Sequence, residues 1–254
     1  MFANQRRNEI CEMLKDSSAV TTSVLAKKFN VSIETIRKDF LILEREGELI
    51  RVHGGATSKP AAKGYINYSD RMDSMRPEKS ELATIAARYI NEGDVIAVDC
   101  GSTSVEFIEV LMQNFESLTI VTHSMDIFQR ACRYKNFNII LCGGFFLKEE
   151  NAFYGDFAAR TFEDIHVSKS FVFPAAISLK SGLTDSLPQL ADMQKKLIKS
   201  CDNLFILADS SKFEKSAFIK VLDLNQKYTY ISDSKLSADI KEIYAQNGIE
   251  VITE

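Results

Sequence analysis

The chain has 254 residues, of which 45% are hydrophobic and 26% charged, and its net charge is -4 at pH 7. This composition predicts a globular protein of about two domains and excludes disordered and fibrous classes. No apolar run could span a bilayer and no secretory signal opens the chain, so we expect a cytoplasmic protein without a membrane partner. Residues 1–60 hold ten Lys and Arg against eight Asp and Glu, which makes any DNA contact local to this positive segment.

Cysteine and histidine are scattered along the chain. The odd number of cysteines, five, and the absence of a C-x-x-C pair argue against disulfides and zinc. The three histidines show no metal-ligand spacing. No Walker A loop or complete G-x-G-x-x-G motif is present, so the sequence predicts no metal and no cofactor.

Two helices are expected before residue 31. The first covers residues 5–15 and places its apolar residues on one face. The second follows Val20, with Thr21 as its N-cap, and ends near Asn30; we expect Val24 and Leu25 in its buried stripe.

A third helix opens at Ser32 as N-cap and stops at Gly47. Its predicted inner face comprises Ile33, Ile36, Phe40 and Leu43. A strand over residues 48–52 and a loop over 53–55 follow. The first turns of this third helix direct three side chains outward, as in a recognition helix that enters the major groove: Thr35, Arg37 and Lys38. Residues expected to contact the DNA backbone are Lys27, Lys28, Arg6 and Arg51. The alternative is a three-helix packing module whose charges are merely solvated.

The string V-S-I-E-T-I-R-K-D-F-L-I-L-E-R-E-G-E-L-I-R-V-H-G-G-A, residues 31–56, closely resembles the N-terminal domain of DeoR-family transcription regulators. The preceding R-R-N-E-I and V-T-T-S-V-L-A-K-K-F fit the same family. The resemblance implies a winged helix-turn-helix in which Ser32, Thr35, Arg37 and Lys38 read DNA. It also implies that His53 and Gly54 lie in the wing, and Asp39 is expected to form a structural ion pair.

The sequence predicts an exposed linker over residues 58–76, between a DNA-binding domain (1–57) and a larger domain (77–254). Strand-like runs lie at 94–99, 118–122, 138–142, 169–173, 203–208, 228–232 and 249–253. Helical runs lie at 78–90, 102–113, 125–133, 189–201 and 236–246. This alternation predicts a Rossmann-like α/β domain with a mostly parallel sheet.

Polar clusters follow three of these strands, and open parallel sheets bind ligands at the carboxyl ends of their strands. The clusters are 99–104 (Asp99, Cys100, Gly101, Ser102, Thr103, Ser104), 142–144 (Cys142, Gly143, Gly144) and 209–212, which ends at Lys212. A helix N-terminus and Lys212 suit a phosphate, and Asp99 suits sugar hydroxyls. Each cluster also has a structural interpretation as a helix cap, a turn or a solvated lysine.

The resemblance to the DeoR family continues in the pair Glu78-Lys79 and in D-C-G-S-T-S, V-T-H-S, L-C-G-G, S-G-L-T and L-A-D-S-S-K-F. It implies a sensor domain similar in fold to sugar-phosphate isomerases and a phosphorylated-sugar effector. The implied contacts are Asp99, Gly101, Ser102, Thr103, Gly143, Gly144 and Lys212. The chain departs from the family at Ala175-Ala176, where Asp-Gly is common, and at Gln194, where Lys is common. Both departures predict an altered or lost effector.

These observations favour a non-enzymatic DNA-binding regulator, a repressor of carbohydrate uptake or catabolism genes that acts as a homodimer or homotetramer. One alternative is an isomerase-like enzyme with an appended DNA-binding module. It would use Asp99, Asp209 or Lys212 for acid-base chemistry, but no histidine is expected beside them. The other alternative is a constitutive DNA binder whose sensor site is degenerate.

Overall fold

Two units make up the chain, residues 1–61 and 62–254, and each is described by itself. The computed structural model describes residues 2–16, 19–46, 48–52, 54–58 and 66–254. Within these ranges, every helix is too short or too polar to cross a membrane. His53, with its predicted place in the wing, and Gly47, the predicted helix stop, lie outside the described residues.

The first unit is a winged helix-turn-helix. Its elements are α1 (Ala3–Asp16), β1 (Ala19–Thr21), α2 (Thr22–Phe29), α3 (Ile33–Arg45), β2 (Leu49–Val52) and β3 (Gly55–Ser58). The strands form an antiparallel sheet in the order β1-β3-β2. Gly55 belongs to β3 rather than to the predicted loop, and a Cβ there would lie 2.2 Å from the Val20 carbonyl oxygen, so the close approach of β1 to β3 requires glycine.

The ends of the helices follow the predictions in part. The Ser32 Oγ caps α3 by accepting a hydrogen bond from the Thr35 amide at 3.1 Å. Thr21 precedes α2 in an extended conformation, but its side chain makes no cap hydrogen bond. The predicted burial of Val24 and Ile33 is wrong: they are 58% and 47% exposed. Val24 lies about 100° around α2 from the buried Leu25, so its side chain points away from the core. Ile33 is the first residue of α3 and lies before the turn that packs on the core.

A buried ion pair joins α1 to α3. The Arg6 Nε and Nη2 donate to the two carboxylate oxygens of Asp39 at 2.6 and 3.2 Å. Both side chains are less than 10% exposed. The expectation that Arg6 contacts DNA phosphates is therefore wrong, because its guanidinium is committed inside the unit; the predicted ion pair of Asp39 is present.

The second unit is an α/β domain with two helical layers. Its elements are α4 (Tyr68–Asp73), α5 (Arg76–Ala87), β4 (Val95–Val98), α6 (Ser102–Asn114), β5 (Leu118–Thr122), α7 (Met125–Ala131), β6 (Phe137–Leu141), β7 (Phe145–Leu147), β8 (Ala152–Tyr154), α8 (Asp156–Glu163), β9 (Val167–Val172), β10 (Ala176–Ser178), β11 (Gly182–Asp185), α9 (Pro188–Lys199), β12 (Cys201–Leu207), β13 (Ile219–Leu222), β14 (Thr229–Ile231), α10 (Ala238–Gln246) and β15 (Val251–Ile252).

Seven strands form the central parallel sheet, in the order β15-β14-β12-β9-β4-β5-β6. These are the seven predicted strands, so the predicted fold class is confirmed. One apolar cluster packs α5, α6 and α7 on one face of the sheet, around Phe107 and Phe171. The other cluster packs α8, α9 and α10 on the opposite face, around Phe162 and Tyr244. The strand order reverses between β4 and β9, which places a crevice at their carboxyl ends.

Four short features have no counterpart in the predictions. The antiparallel sheet β10-β11-β13 follows β9, and the ribbon β7-β8 follows β6. Helix α8 follows this ribbon, and α4 lies inside the segment predicted as linker. These elements lie outside the regular alternation of apolar strand runs and amphipathic helical runs from which the central sheet was predicted.

Candidate functional site

The first candidate surface is a groove between α3 and the wing of the first unit, with a volume of about 440 Å³. Arg37, Lys38 and Arg51 line it together with Gly54 and Gly55. The three cations are exposed, and so are Ser32, Lys27 and Lys28, which lie outside the groove. Thr35 is half-buried beside the cap, with its hydroxyl 2.8 Å from the Ser32 hydroxyl. The surface therefore combines a helix N-terminus with positive charge, which suits duplex DNA.

Acidic neighbours hold several of these cations. The Arg37 guanidinium lies 3.4 Å from the Glu34 carboxylate, and Arg51 Nε lies 2.6 Å from Glu44. The Arg51 side-chain and backbone hydrogen bonds lower the pKa of Glu44. Lys28 Nζ lies 2.8 Å from the Glu9 carboxylate. These exposed pairs are weak, so a phosphate or a base edge can replace the acidic partner at small cost.

The second candidate site is a cavity of about 310 Å³ at the switch point of the second unit. Gly101 and Ser102 bring the N-terminus of α6 to it, and Phe173, Ala175 and Ala176 follow β9. Gly101 has a φ of 120°, a conformation that favours glycine and turns the chain from β4 into α6. Backbone N–H groups at such a helix start attract anions.

Four cations line this cavity: Arg71, Lys79, Lys212 and Lys215. Burial lowers the pKa of Lys79 to about 8, with a further contribution from nearby Lys212. Burial also lowers the pKa of Lys212, against the opposing effect of Asp209 at 3.9 Å. Desolvated ammonium groups that lie close together gain from the entry of an anion, so the cavity is suited to a phosphate.

Asp99 lies beneath the cavity and does not line it. It is fully buried, and its Oδ1 accepts from the Cys100 amide at 2.8 Å while Oδ2 accepts from the Phe173 amide at 3.2 Å. The Gln194 amide donates to the same Oδ2 at 2.9 Å. Because its oxygens are already occupied, Asp99 positions the loops after β4 and β9.

The expectation that no histidine lies beside Asp99 is wrong. His123 Nε2 is 3.0 Å from Asp99 Oδ1, because β5 is the sheet neighbour of β4 and both residues follow their strands. His123 Nδ1 faces the Phe153 carbonyl at 2.8 Å, which can only accept, so Nδ1 carries a proton. The Nε2 contact with Asp99 therefore ties the residue that follows β5 to the residue that follows β4 inside the core.

Gln194 joins two carboxylates at the floor of the cavity. Its Nε2 donates to Asp185 at 3.1 Å as well as to Asp99, and it is 1% exposed. Burial raises the pKa of Asp185 to about 6. An amide at this position supplies hydrogen-bond donors without charge. The floor therefore presents the Asp185 carboxylate and the Gln194 amide to a ligand.

The remaining predicted effector residues are distributed unevenly around the cavity. Thr103 and Ser104 are buried behind its wall; the Ser104 hydroxyl donates to the Gly101 carbonyl at 2.7 Å. Gly143 and Gly144 are not among the residues that line it. A Cβ at Gly144 would lie 2.4 Å from the Tyr154 carbonyl oxygen, so this glycine serves the packing of β7 against β8.

One cluster of the described residues could hold a metal ion. Asp99, Cys100 and His123 place one ligand atom each within 4.8 Å of the others. Burial and the nearby Asp99 raise the pKa of the Cys100 thiol well above its usual range, which disfavours a thiolate ligand. Both His123 nitrogens already have hydrogen-bond partners. We therefore assign the cluster to positioning the loop between β4 and α6.

Helix α4 covers one side of the cavity and is tied down by three side chains. Tyr68 donates to Asp126 at 2.7 Å, and Arg71 pairs with the buried Glu150. Lys79 donates to the carbonyl of Arg71 and, at 2.7 Å, to that of Ser74. Two of the cavity's cations therefore also hold α4. Their only signal in the sequence was the pair Glu78-Lys79, which the family resemblance includes.

Comparison with known families fits both units. The model of the DeoR-like helix-turn-helix domain matches residues 6–61. The model of the DeoR C terminal sensor domain matches residues 74–234. A winged helix-turn-helix that precedes such a sensor domain defines a class of transcription regulators. This chain belongs to the DeoR family.

Its relatives match over nearly their whole length. The chain is 32% identical to an uncharacterized HTH-type transcriptional regulator, YulB, of Bacillus subtilis (strain 168), covering 96% of this chain and 94% of that one. It is 26% identical to the lactose phosphotransferase system repressor of Staphylococcus aureus (strain N315), covering 99% and 100%. Among solved structures, ribose 5 phosphate isomerase A from Neisseria gonorrhoeae matches 56% of this chain and 55% of its own, with 16% identity and a TM-score of 0.42.

Proposed function

We propose that this DeoR-family regulator represses genes of carbohydrate uptake or catabolism, and that a phosphorylated sugar in the cavity modulates its binding to operator DNA. The groove that brings together Arg37, Lys38 and Arg51 beside a capped helix carries the first half of the proposal. The names of relatives, such as the lactose phosphotransferase system repressor, support carbohydrate genes as the target. The cations that line the cavity support a phosphorylated effector.

On DNA, α3 lies in the major groove with its N-terminal turns toward the bases. Arg37 reads guanine through its two guanidinium donors, and Thr35 and Lys38 contact base edges or phosphates. The N-terminus of α3 at Ser32 binds a phosphate. Lys27, Lys28, Arg51 and His53 contribute contacts to the backbone that do not depend on sequence.

In the sensor domain, the phosphate of the effector lies against Lys79, Lys212 and the start of α6 at Gly101 and Ser102. The sugar hydroxyls contact the floor formed by Asp185 and Gln194. Thr103, Ser104, Gly143 and Gly144 support the cavity from outside, and Asp99 holds Gln194 in place. This assignment keeps the effector class expected from the family and replaces several of its contacts.

The effector signal leaves the cavity through α4. A phosphate competes with the Arg71 and Ser74 carbonyls for Lys79, and so loosens α4, which lies inside the segment predicted as linker. Effector binding then changes the population of the DNA-competent state through this differential contact.

We favour a regulator without catalytic activity. Two His-Asp pairs occur among the described residues, and neither lines the cavity: His123 with Asp99 is fully buried, and His166 with Asp202 is exposed elsewhere on the surface. A general acid or base must reach the proton that it transfers. Recognition of repeated half-sites by a winged helix-turn-helix further implies a homodimer or homotetramer.

Fluorescence anisotropy with the DNA upstream of the regulator's own gene tests the proposal. Sugar phosphates are added one at a time, with the matching unphosphorylated sugars as controls. We expect one phosphorylated sugar to change the affinity for DNA, and Lys79→Met to abolish that response. Lys180→Met, at an exposed lysine outside the cavity, is the matched control and keeps the response. DNA binding that ignores every sugar phosphate would overturn the effector half.

A further inference from the structure

The floor of the cavity holds a buried amide whose oxygen has no partner. Gln194 Nε2 donates to Asp99 Oδ2 at 2.9 Å and to Asp185 Oδ2 at 3.1 Å. Because ionised carboxylates only accept, the two contacts fix which end of the amide is nitrogen, and Oε1 faces away from both carboxylates. This oxygen is buried and has no hydrogen-bond partner in the described part of the chain. Since Gln194 lines the cavity, a ligand that donates a hydrogen bond can satisfy it.

Asp185, beside this amide, is a buried carboxylate without a cationic partner. Its side chain accepts from two neutral donors, the Leu187 amide at 3.2 Å and Gln194. The residue is only 4% exposed and lines the cavity. Burial raises the pKa of Asp185 to about 6, with further contributions from nearby Asp99 and Glu150, so the carboxylate is still ionised at about pH 7. The floor therefore carries a negative charge that neutral hydrogen bonds alone support.

The cations that line the cavity have other partners. Arg71 pairs with Glu150, and Lys212 lies 3.9 Å from Asp209. Lys79 donates to two backbone carbonyls. A buried carboxylate costs free energy unless a cation reaches it. Within the described residues, no side chain forms an ion pair with the floor carboxylate, so a ligand has to bring that charge.

The chemistry of this floor distinguishes two kinds of ligand. A hydroxyl group would satisfy the Gln194 oxygen but leave the Asp185 charge unpaired. An ammonium group satisfies both, because it carries a positive charge and three donors. We propose that the effector is an amino sugar phosphate whose ammonium group donates to Gln194 and Asp185, and that this floor selects it over a sugar phosphate with a hydroxyl group at the same carbon. The proposal rests on the proposed function, in which the phosphate lies against Lys79 and Lys212, and places an amine where one sugar hydroxyl would contact the floor.

Isothermal titration calorimetry of the full chain without DNA, at about pH 7, tests this selection. The probes are three pairs that differ by an amino or a hydroxyl group at one carbon: glucosamine 6-phosphate with glucose 6-phosphate, and the corresponding galactose and mannose pairs. N-acetylglucosamine 6-phosphate is the control in which the nitrogen carries no charge. We expect the amino member of at least one pair to bind about tenfold or more tightly than its hydroxyl counterpart, and the N-acetyl form to lose this advantage.

Asp185→Asn separates recognition of the amine from a structural role. The variant keeps the shape of the side chain and removes its charge, so the affinity for the amino member should fall about tenfold or more. The affinity for the hydroxyl member should stay the same or rise, because a negative charge near the phosphate is lost. Damage to the fold would lower both affinities. Asp192→Asn, at an exposed position of α9, changes the net charge equally and should leave both affinities unchanged.

The outcomes separate this proposal from the proposed function. Equal affinity within every pair, no binding by any pair, or an equal loss for both members in Asp185→Asn would overturn the selection of an amine. Amine-selective binding that leaves the affinity for DNA unchanged would support this selection and overturn the effector half of the proposed function. A hydroxyl sugar phosphate that alters DNA binding and binds as tightly as its amino counterpart would do the reverse.

Discussion

Removal of Asp39 should unfold the DNA-binding unit, because the Arg6 guanidinium would remain buried without its partner. The pair has two hydrogen bonds, at 2.6 and 3.2 Å, and side chains that are 8% and 4% exposed. Breaking a buried pair from one side costs about 3–5 kcal/mol. A unit of this size has a total stability of about 3–9 kcal/mol. Asp39→Ala should therefore remove most of the unit's free energy of unfolding.

Replacing both partners separates the structural role of Arg6 from a role on DNA. The variant R6M/D39L fills the same space with apolar atoms, and we expect its unfolding free energy within about 1–2 kcal/mol of the wild type. Arg7, the second cation near Asp39 at 3.8 Å, is 20% exposed and can turn to solvent.

Urea denaturation and the salt dependence of DNA binding are the two assays. We expect the double variant to keep the wild-type slope of log affinity against log salt concentration. The matched control, Lys28→Met, should reduce that slope by about one, which corresponds to the loss of one phosphate contact. Unchanged stability in Asp39→Ala, or a reduced salt slope in R6M/D39L, would refute the reasoning.

Three further predictions concern the cap and the cavity. Ser32→Ala should lower the unfolding free energy by about 1 kcal/mol in urea denaturation, because α3 loses its N-cap hydrogen bond. Ser23→Ala, at an exposed position of α2, should change it little, and equal losses would argue against the cap. The affinity for inorganic phosphate should fall as pH rises through about 8, because Lys79 loses its charge there; calorimetry that shows equal affinity at about pH 7 and about pH 9 would contradict this. Gln194→Leu should lower the unfolding free energy by about 1–3 kcal/mol, since Asp99 and Asp185 lose a shared donor, and an unchanged thermal midpoint would count against the floor described above.

The parallel sheet was predictable because each of its strands is a run of apolar residues long enough to be recognised. The same logic predicts Asp99 at the carboxyl end of a central strand, and it directly follows β4. Its contact with His123 was not predicted, although the order of β4 and β5 follows from ordinary α/β topology. A predicted strand order with β5 beside β4 leads to that contact, because Asp99 and His123 each directly follow their strand.

The cations of the cavity were harder to predict. Arg71 and Lys79 come from α4 and α5, which precede the sheet in sequence and contribute side chains that only tertiary packing brings to Lys212. Gly143 and Gly144 were predicted to contact the effector, but they do not line the cavity. A glycine pair after a strand can serve either a ligand or a close backbone contact, and the sequence does not distinguish the two. The burial of Arg6 was equally hidden, since an arginine looks the same in sequence whether it faces solvent or a buried aspartate.

The groove between α3 and the wing is the central claim, and titration of duplex DNA with wild type and Arg37→Ala tests it most directly. At an ionic strength of about 50–200 mM, we expect the wild type to prefer the DNA upstream of its own gene over random duplex. Arg37→Ala should bind both duplexes with the same weak affinity. Retention of no duplex at the lowest salt, or an unchanged preference in Arg37→Ala, would contradict the account.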